Sequence, residues 1–213
     1  MRLHFTIDMD IRNKIIEGAG KLFIENGIKQ VTMDMIAQSM GISKRTIYEN
    51  FKDKDDLLSN FLYNTMIRHK EQLIKIMGES KNVIEALFNF GNYNKNSMAN
   101  VNPLFFSDLK KYHFDIYSKV INNGEVRNHE LTYTLLKRGQ NEGIFIKEID
   151  LEIANLFIHY MMGFFDEVDN ETKCKAIKIW TSVHLPYLRG ICTEKGKDIL
   201  LAFSIAQKTS GDN

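Results

Sequence analysis

The chain has 213 residues, of which 44% are hydrophobic, so it is long and apolar enough to form a packed core, which excludes a disordered chain. Its formal net charge of +1 excludes a protein that is basic over its whole surface, so contact with nucleic acid requires a local patch. Only two prolines occur, and apolar residues rarely alternate with polar ones, which predicts an all-α fold.

The first two helices are predicted from apolar periodicity and from capping residues. Apolar residues recur at helical spacing from Asp10 to Gly27, and Gly27 can end this helix because glycine tolerates positive φ. A second helix is predicted from Met33 to Met40, with Thr32 as its N-cap. Val31 precedes that cap and is expected to pack on the first turn as a hydrophobic staple.

A third and a fourth helix follow a short turn. Gly41 ends the second helix, and Ser43 is the expected N-cap of a third helix from Lys44 to Phe51. Asp53 is the expected N-cap of a fourth helix, which carries one apolar stripe from Leu57 to Met66. Helices joined by so short a turn predict a helix-turn-helix unit near the N-terminus.

The residues of this unit have steric reasons for their positions. Ala37 is small enough to let the next helix cross closely, Gly41 permits the sharp turn, and Ile47 fills the angle between the helices. Since Ile47 and Phe51 face inward, polar side chains of the third helix face outward. These outward residues are Lys44, Arg45, Tyr48, Glu49 and Asn50.

The segment from Thr32 to Leu57 resembles the DNA-binding signature of the TetR family of transcription regulators. This segment covers about an eighth of the chain. The matching residues are Ala37, Gly41, Thr46, Ile47, Tyr48, Phe51 and the run Lys54-Asp55-Asp56-Leu57. In that family the third helix enters the major groove of DNA, so the resemblance implies an N-terminal DNA-binding domain, residues 1–53, followed by a helical ligand-sensing and dimerisation domain, residues 54–213.

The resemblance also implies which residues contact DNA. Base or near-base contacts are expected from Lys44, Arg45, Tyr48 and Asn50, and phosphate contacts from Thr32, Thr46, Tyr48, Lys52 and Lys54, with Ser43 at the start of the third helix completing the set. The chemistry agrees, because Arg and Lys can bond guanine, Asn can bond adenine, and Lys, Thr and Tyr can bond phosphate. Glu49 lies where the family commonly has an aromatic residue or a histidine.

The rest of the chain is predicted to contain further helices and short irregular segments. A helix from Ser80 to Asn92, an irregular Asn-rich segment from Gly91 to Asn102, and a helix that begins at Pro103 with Asn102 as cap are expected. A long helical segment from Phe114 to Asn141, with a possible break at Asn122–Gly124, is expected to end at Gly143.

Two C-terminal helices are the expected dimer interface. The helix from Leu151 to Glu167, capped by Asp150, is apolar on more than one face, so it needs two packing partners. A second copy of the chain is the simplest second partner, with the helices near residues 151–166 and 171–188 forming a homodimer, as the resemblance also implies. The alternative is that this pair is the core of a monomer. Pro186 is expected to kink the second helix, and Thr193 to open a last one.

Aromatic and methionine residues around the middle helices are candidates for an effector pocket, although each is more often a core residue. These candidates are Phe88, Tyr93, Phe105, Phe106, Tyr112, Tyr117, Met161 and Phe165. The sequence assigns no ligand residues from among them.

Features of enzymes, metal sites and secreted proteins are absent from the sequence. Cys174 and Cys192 are too few for a disulfide framework, and no His or Cys pair has metal-ligand spacing. Glycine-rich phosphate-binding and nucleophile-elbow motifs are missing, and no apolar stretch is long and uninterrupted enough for a signal peptide or a membrane span. A cytoplasmic protein that is not an enzyme, and that uses no cofactor and no metal, is therefore expected.

The predicted function is that of a ligand-responsive transcription regulator, most often a repressor in this family. It would bind a palindromic double-stranded DNA operator as a homodimer and be released by an unknown small-molecule effector. Two alternatives remain: a DNA-binding accessory protein that responds to no ligand, and a helical enzyme or small-molecule-binding protein that has lost operator binding. Ligand-induced stabilisation distinguishes the predicted function from the first alternative, and selection of bound DNA sequences distinguishes it from the second.

Overall fold

The computed structural model describes residues 2–119, 129–166 and 180–210, and over these residues the chain is all-α. The helices, in chain order, are α1 (Arg2–Asn26), α2 (Met33–Met40), α3 (Lys44–Asn50), α4 (Lys54–Glu79), α5 (Val83–Met98), α6 (Pro103–Tyr112), α7 (Phe114–Tyr117), α8 (His129–Asn141), α9 (Leu151–Asp166), α10 (Leu185–Ile191) and α11 (Glu194–Ser210). A five-residue π-helical segment, Trp180–His184, precedes α10.

Local capping signals predicted several helix ends correctly. The helix α2 has the predicted bounds with Thr32 as N-cap, α6 begins at Pro103 after the cap Asn102, and α9 follows Asp150, whose carboxylate accepts backbone hydrogen bonds from its first turn. The predicted stops Gly41 and Gly143 have φ of 64° and 66°, the left-handed conformation that ends a helix.

The irregular segment predicted from Gly91 to Asn102 is wrong in its first part, because α5 continues to Met98. Asparagine and glycine cost only about 0.5–1 kcal/mol each in a helix relative to alanine. That cost does not end a helix whose first turns bury Val83, Ile84 and Phe88. Weak local propensity is overridden here by the packing of one face.

Two predicted elements are described only in part. The segment from Phe114 to Asn141 is represented by α7 and α8, and the possible break at Asn122–Gly124 lies outside the described residues. Most of the predicted helix 171–188 also lies outside them. Its described end changes from π-helix to α-helix, and Pro186 lies in the first turn of α10, directly after this change.

The chain forms two compact units. The first comprises Met1–Glu71 and Lys95–Arg127, and the second comprises Gln72–Asn94 and Asn128–Asn213. The first unit therefore contains the predicted DNA-binding helices α1 to α3 together with most of α4 and with α6, which lies beyond residue 53 in sequence.

The first unit is built around buried side chains from α1, α2, α3, α4 and α6. Phe23 of α1 packs on Phe61 of α4, with ring centroids 6.3 Å apart, and Phe61 packs edge-on against Phe105 of α6 at 6.4 Å. Burial of these rings and of Ile15, Ile16 and Leu109 removes a large apolar area from water. The helix-turn-helix is therefore held on a single core that includes α6.

The second unit has its own core and a polar corner between α4 and α5. Phe88 stacks on Phe203 with centroids 5.5 Å apart, among the buried side chains of this unit. At the corner, Arg138 donates to the backbone carbonyls of Met77 and Ser80 and pairs with Glu142. Among the described helices, none is long and apolar enough to span a bilayer.

Candidate nucleic-acid interface

The turn between α2 and α3 is specified by one glycine and two caps. Gly41 adopts φ 64°, and its N–H and that of Ile42 donate to the last carbonyls of α2, which ends the helix in a Schellman-type arrangement. Thr32 accepts from the N–H of Met35 at 3.2 Å, and Ser43 accepts from the N–H of Thr46 at 3.1 Å. Each helix of the pair is therefore capped by its own sequence.

Buried side chains fix which face of α3 points outward. Ile47 is fully buried and Phe51, the C-cap residue, is 1% exposed. The guanidinium of Arg12 lies 4.8 Å from the centre of the Phe51 ring and covers it from α1. Since this side of α3 is packed, the opposite side presents its polar residues to solvent, as predicted from the helical spacing.

Lys44 and Arg45 lie at the start of α3, and each is paired with a carboxylate. The ammonium of Lys44 is 2.8 Å from Asp34 in the first turn of α2, and Nε of Arg45 is 2.8 Å from Glu49 one turn further along α3. These hydrogen bonds raise the pKa of both cations, so both stay charged. Both pairs are solvent-exposed and can exchange partners for DNA.

The remaining predicted base-contact residues, Tyr48 and Asn50, lie in the second half of α3. Tyr48 is 48% exposed. Asn50 donates from its amide nitrogen to the carbonyl of Thr46 at 2.8 Å, which leaves its amide oxygen as an acceptor. The hydroxyl of Thr46 lies 2.8 Å from that of Ser43, so these two residues form one small hydroxyl pair at the N-terminus of α3.

The two lysines after α3 differ in their surroundings. The side chain of Lys52 is exposed and, among the described residues, forms no ion pair or hydrogen bond. The ammonium of Lys54 is partly buried and donates to the carbonyls of Ile28 at 3.0 Å and Val31 at 3.1 Å. Burial lowers the pKa of Lys54. Lys54 therefore joins the start of α4 to the loop between α1 and α2.

Sequence reasoning missed two features of this surface. One is the pairing of Glu49 with Arg45, which the i, i+4 spacing could have indicated. The other is a set of cationic and aromatic residues, Lys29, Lys111 and Tyr112, in the same compact unit. These residues come together through contacts across about eighty positions of sequence, so no local sequence pattern predicts their proximity.

The part of the chain that the structure describes contains no metal site, and the effector-pocket candidates are divided between the two units. No group of His, Cys, Asp and Glu suited to a metal ion occurs among the residues that the structure describes. Phe105 and Tyr117 belong to the core of the first unit and Phe88 to that of the second, whereas the side chain of Phe165 lies outside the described residues.

Comparison with known proteins places the signature in a family. Residues 15–60 match the family model described as bacterial regulatory proteins, tetR family. The chain is 48% identical over 46 residues to an HTH-type transcriptional regulator of Staphylococcus aureus (strain USA300), a match that covers 22% of this chain and 25% of the relative. The match thus spans about a quarter of the length of the curated relatives.

Solved structures are similar over most of the chain. A transcriptional regulator from Cytophaga hutchinsonii has a TM-score of 0.69 and 19% identity, covering 85% of this chain and 98% of that one. A TetR-family regulator from Pectobacterium atrosepticum has a TM-score of 0.63 and 16% identity, with 89% and 97% covered. The fatty acid degradation regulator FadR from Bacillus halodurans has a TM-score of 0.59 and 25% identity, with 78% and 86% covered.

Proposed function

Because residues 15–60 match the family of bacterial regulatory proteins called tetR, we propose that the chain is a ligand-responsive repressor of that family. It binds a palindromic DNA operator as a homodimer in the cytoplasm and leaves the operator when a small molecule binds its C-terminal domain. The observation that carries the proposal is the outward face of α3, with Lys44, Arg45 and Tyr48 exposed on a helix that Ile47 and Phe51 anchor.

The roles of these residues follow from their chemistry. Arg45 and Lys44 can donate to O6 and N7 of guanine, and Asn50 can bond adenine. Thr32, Ser43 and Thr46 lie at helix N-termini, where backbone N–H groups and hydroxyls suit phosphate oxygens. Lys52 has an exposed ammonium and is the nearest cation after α3 for a phosphate. Lys54 contributes chiefly by holding the loop before Thr32 in place.

We propose that the dimer forms through α9. Four apolar side chains lie along one stripe of this helix at i, i+3, i+4 and i+7, and 47–75% of each is exposed: Ile153, Leu156, Phe157 and Tyr160. Such a stripe is costly to leave in water, and a second copy covers it with the same stripe. The neighbouring segment 171–188 is expected to complete the interface, and Phe157 already contacts Tyr187 at a 5.0 Å ring separation.

The effector is proposed to shift the spacing of two recognition helices. Two copies of α3 reach successive major grooves only when they are about 34–36 Å apart. A ligand releases the operator only if it binds more tightly to a dimer with another spacing. Because FadR of Bacillus halodurans regulates fatty acid degradation, acyl compounds are the first class of effector to test.

The proposal is tested by selecting bound sequences from a pool of random DNA. We expect one palindromic site, bound by a species of twice the chain mass. If no sequence is enriched, the DNA-binding proposal is overturned, and a helical protein without operator binding is favoured. A thermal-shift screen with acyl compounds then tests ligand response, since a ligand at a hundred times its Kd stabilises the folded state by about 2.7 kcal/mol.

A further inference from the structure

Two lysines and a tyrosine of the first unit form a compact cationic surface, here named the lysine–tyrosine patch (Lys29, Lys111 and Tyr112). The ammonium of Lys29 is 3.2 Å from the Tyr112 hydroxyl and 4.8 Å from the centre of its ring. The ammonium of Lys111 lies 5.3 Å from the same ring centre. Hydrogen bonds from Lys29 and then Lys111 lower the pKa of Tyr112, because both cations favour the phenolate. Two positive charges thus converge on one hydroxyl.

Neither lysine of this patch forms an ion pair with an acid that the structure describes. Among the described residues, neither ammonium lies within 4.0 Å of a carboxylate. Asp108 contacts Lys29 through the backbone, because its carboxylate accepts the N–H of Lys29 at 2.7 Å, and the residue is only 7% exposed. Two exposed ammonium groups that form no ion pair with a described carboxylate are a favourable place for an external anion.

The patch lies beside the residues expected to contact DNA phosphates. Lys29 is three residues before Thr32, the N-cap of α2, so their Cα atoms are at most about 11 Å apart. His113, next to Tyr112, has Nδ1 2.9 Å from Oδ1 of Asp55 in the first turn of α4. The patch is therefore attached at two points to the edge of the helix-turn-helix, and all of these residues belong to one compact unit.

We propose that Lys29, Lys111 and Tyr112 bind phosphates of the DNA duplex, which extends the contact surface of the helix-turn-helix onto α6. The proposal rests on the proposed function and adds a site to it. Lysine ammonium groups and a tyrosine hydroxyl are donors to phosphate oxygens. The surroundings of Lys54 support the assignment, because an ammonium engaged with two backbone carbonyls leaves the neutralisation of nearby phosphates to other cations.

The test compares the double variant Lys29→Gln, Lys111→Gln with Lys70→Gln as matched control. Lys70 is an exposed lysine of α4, sixteen residues after Lys54 and thus about 24 Å further along the helix. Affinity for the selected operator and for random DNA is measured by fluorescence anisotropy over a series of salt concentrations. We expect the double variant to bind both DNAs more weakly by the same factor. For the proposed dimer, its slope of log K against log salt becomes shallower by about 3.6, since two lysines in each of two copies give four phosphate contacts of about 0.9 each.

Tyr112→Phe gives an independent reading, because it keeps the ring under both cations and removes only the hydroxyl. We expect weaker binding to both DNAs with the salt slope unchanged. If the double variant has the same salt slope as Lys70→Gln, the patch proposal is overturned. A lower melting temperature of the double variant would then show only that the lysines stabilise the C-terminal end of α6. If the unmodified chain binds no DNA, the proposed function fails instead, and the patch proposal fails with it.

Discussion

The side chain of Tyr48 is half exposed at the centre of the outward face of α3. We expect Tyr48→Ala to weaken operator binding by roughly tenfold, the equivalent of about 1.4 kcal/mol, and to leave the free energy of unfolding nearly unchanged. Gel-shift titration measures the first quantity and urea denaturation the second. Tyr63→Ala, which removes a 53% exposed tyrosine from α4, is the control and should bind normally. Equal operator affinities of the two variants would count against α3 as the helix that contacts the bases.

Lys54 and Lys52 are neighbouring lysines with different expected roles. Lys54→Ala removes the donor to two carbonyls of the α1–α2 loop, and we expect it to lower the free energy of unfolding by about 1–3 kcal/mol. Lys52→Ala removes an exposed charge and should leave stability unchanged while it weakens binding to operator and random DNA alike. Denaturation and anisotropy on both variants check this. A stable Lys54→Ala protein would mean that its carbonyl contacts contribute little.

Cys192 is a buried thiol in the second unit. It is 3% exposed, and burial raises its pKa to about 11. At pH 8 only about one thiol in a thousand is then the reactive thiolate, so we expect very slow alkylation of the folded chain and rapid alkylation after denaturation. Raising the pH towards 11 should speed the reaction of the folded chain. Peptide mass spectrometry separates Cys192 from Cys174, and rapid labelling of Cys192 at pH 8 in the folded chain would contradict the prediction.

At the scale of elements, the turn after α2 depends on the backbone of Gly41. A Cβ atom there would meet no neighbour within 4 Å, so the cost of Gly41→Ala comes only from its φ of 64°. We expect a loss of about 1–2 kcal/mol in stability. Gly78→Ala is the matched control, because a Cβ at that helical position also meets nothing. It should stabilise the chain by up to about 1 kcal/mol. Urea denaturation of both proteins tests the opposite signs.

Elements whose limits depend on nearby residues were predicted from the sequence with little error. The bounds of α2 and the start of α6 follow from Thr32, Gly41 and Asn102, each of which acts within four residues of itself. The extension of α5 to Met98 was not predictable in this way, because packing rather than propensity sustains it. The outward face of α3 was predictable for the same local reason, since Ile47 and Phe51 identify its inner side.

Features of the candidate interface that depend on distant contacts were not predictable. The sequence indicated Lys54 as a phosphate ligand, but its carbonyl partners lie 23 and 26 residues earlier in the chain. The lysine–tyrosine patch joins residues 83 positions apart. A periodic pattern assigns a side chain to a face, whereas these contacts require the path of the loops between helices.

At the scale of the whole molecule, the proposed dimer depends on the exposed apolar stripe of α9. We expect Leu156→Glu to convert the proposed dimer into single chains of 24.8 kDa, because the change buries a charge at the centre of an apolar interface. Sedimentation equilibrium measures the mass. Operator affinity should fall with it, since one copy contacts only one half-site. Ile74→Glu, at a 49% exposed position of α4, is the control and should stay dimeric. A monomeric unmodified chain would refute the proposed interface.

The end of α1 is secured by residues that lie far ahead in the sequence. Asn102 donates from its backbone and its amide to the carbonyls of Ile24 and Glu25, and Asp108 accepts the N–H of Lys29. A hybrid regulator that took only residues 1–53 from this chain would expose these groups and the ring of Phe23, which packs on Phe61. Transfer of the helix-turn-helix to another protein therefore requires that α6 is transferred too. Natural recombination between regulators would face the same constraint.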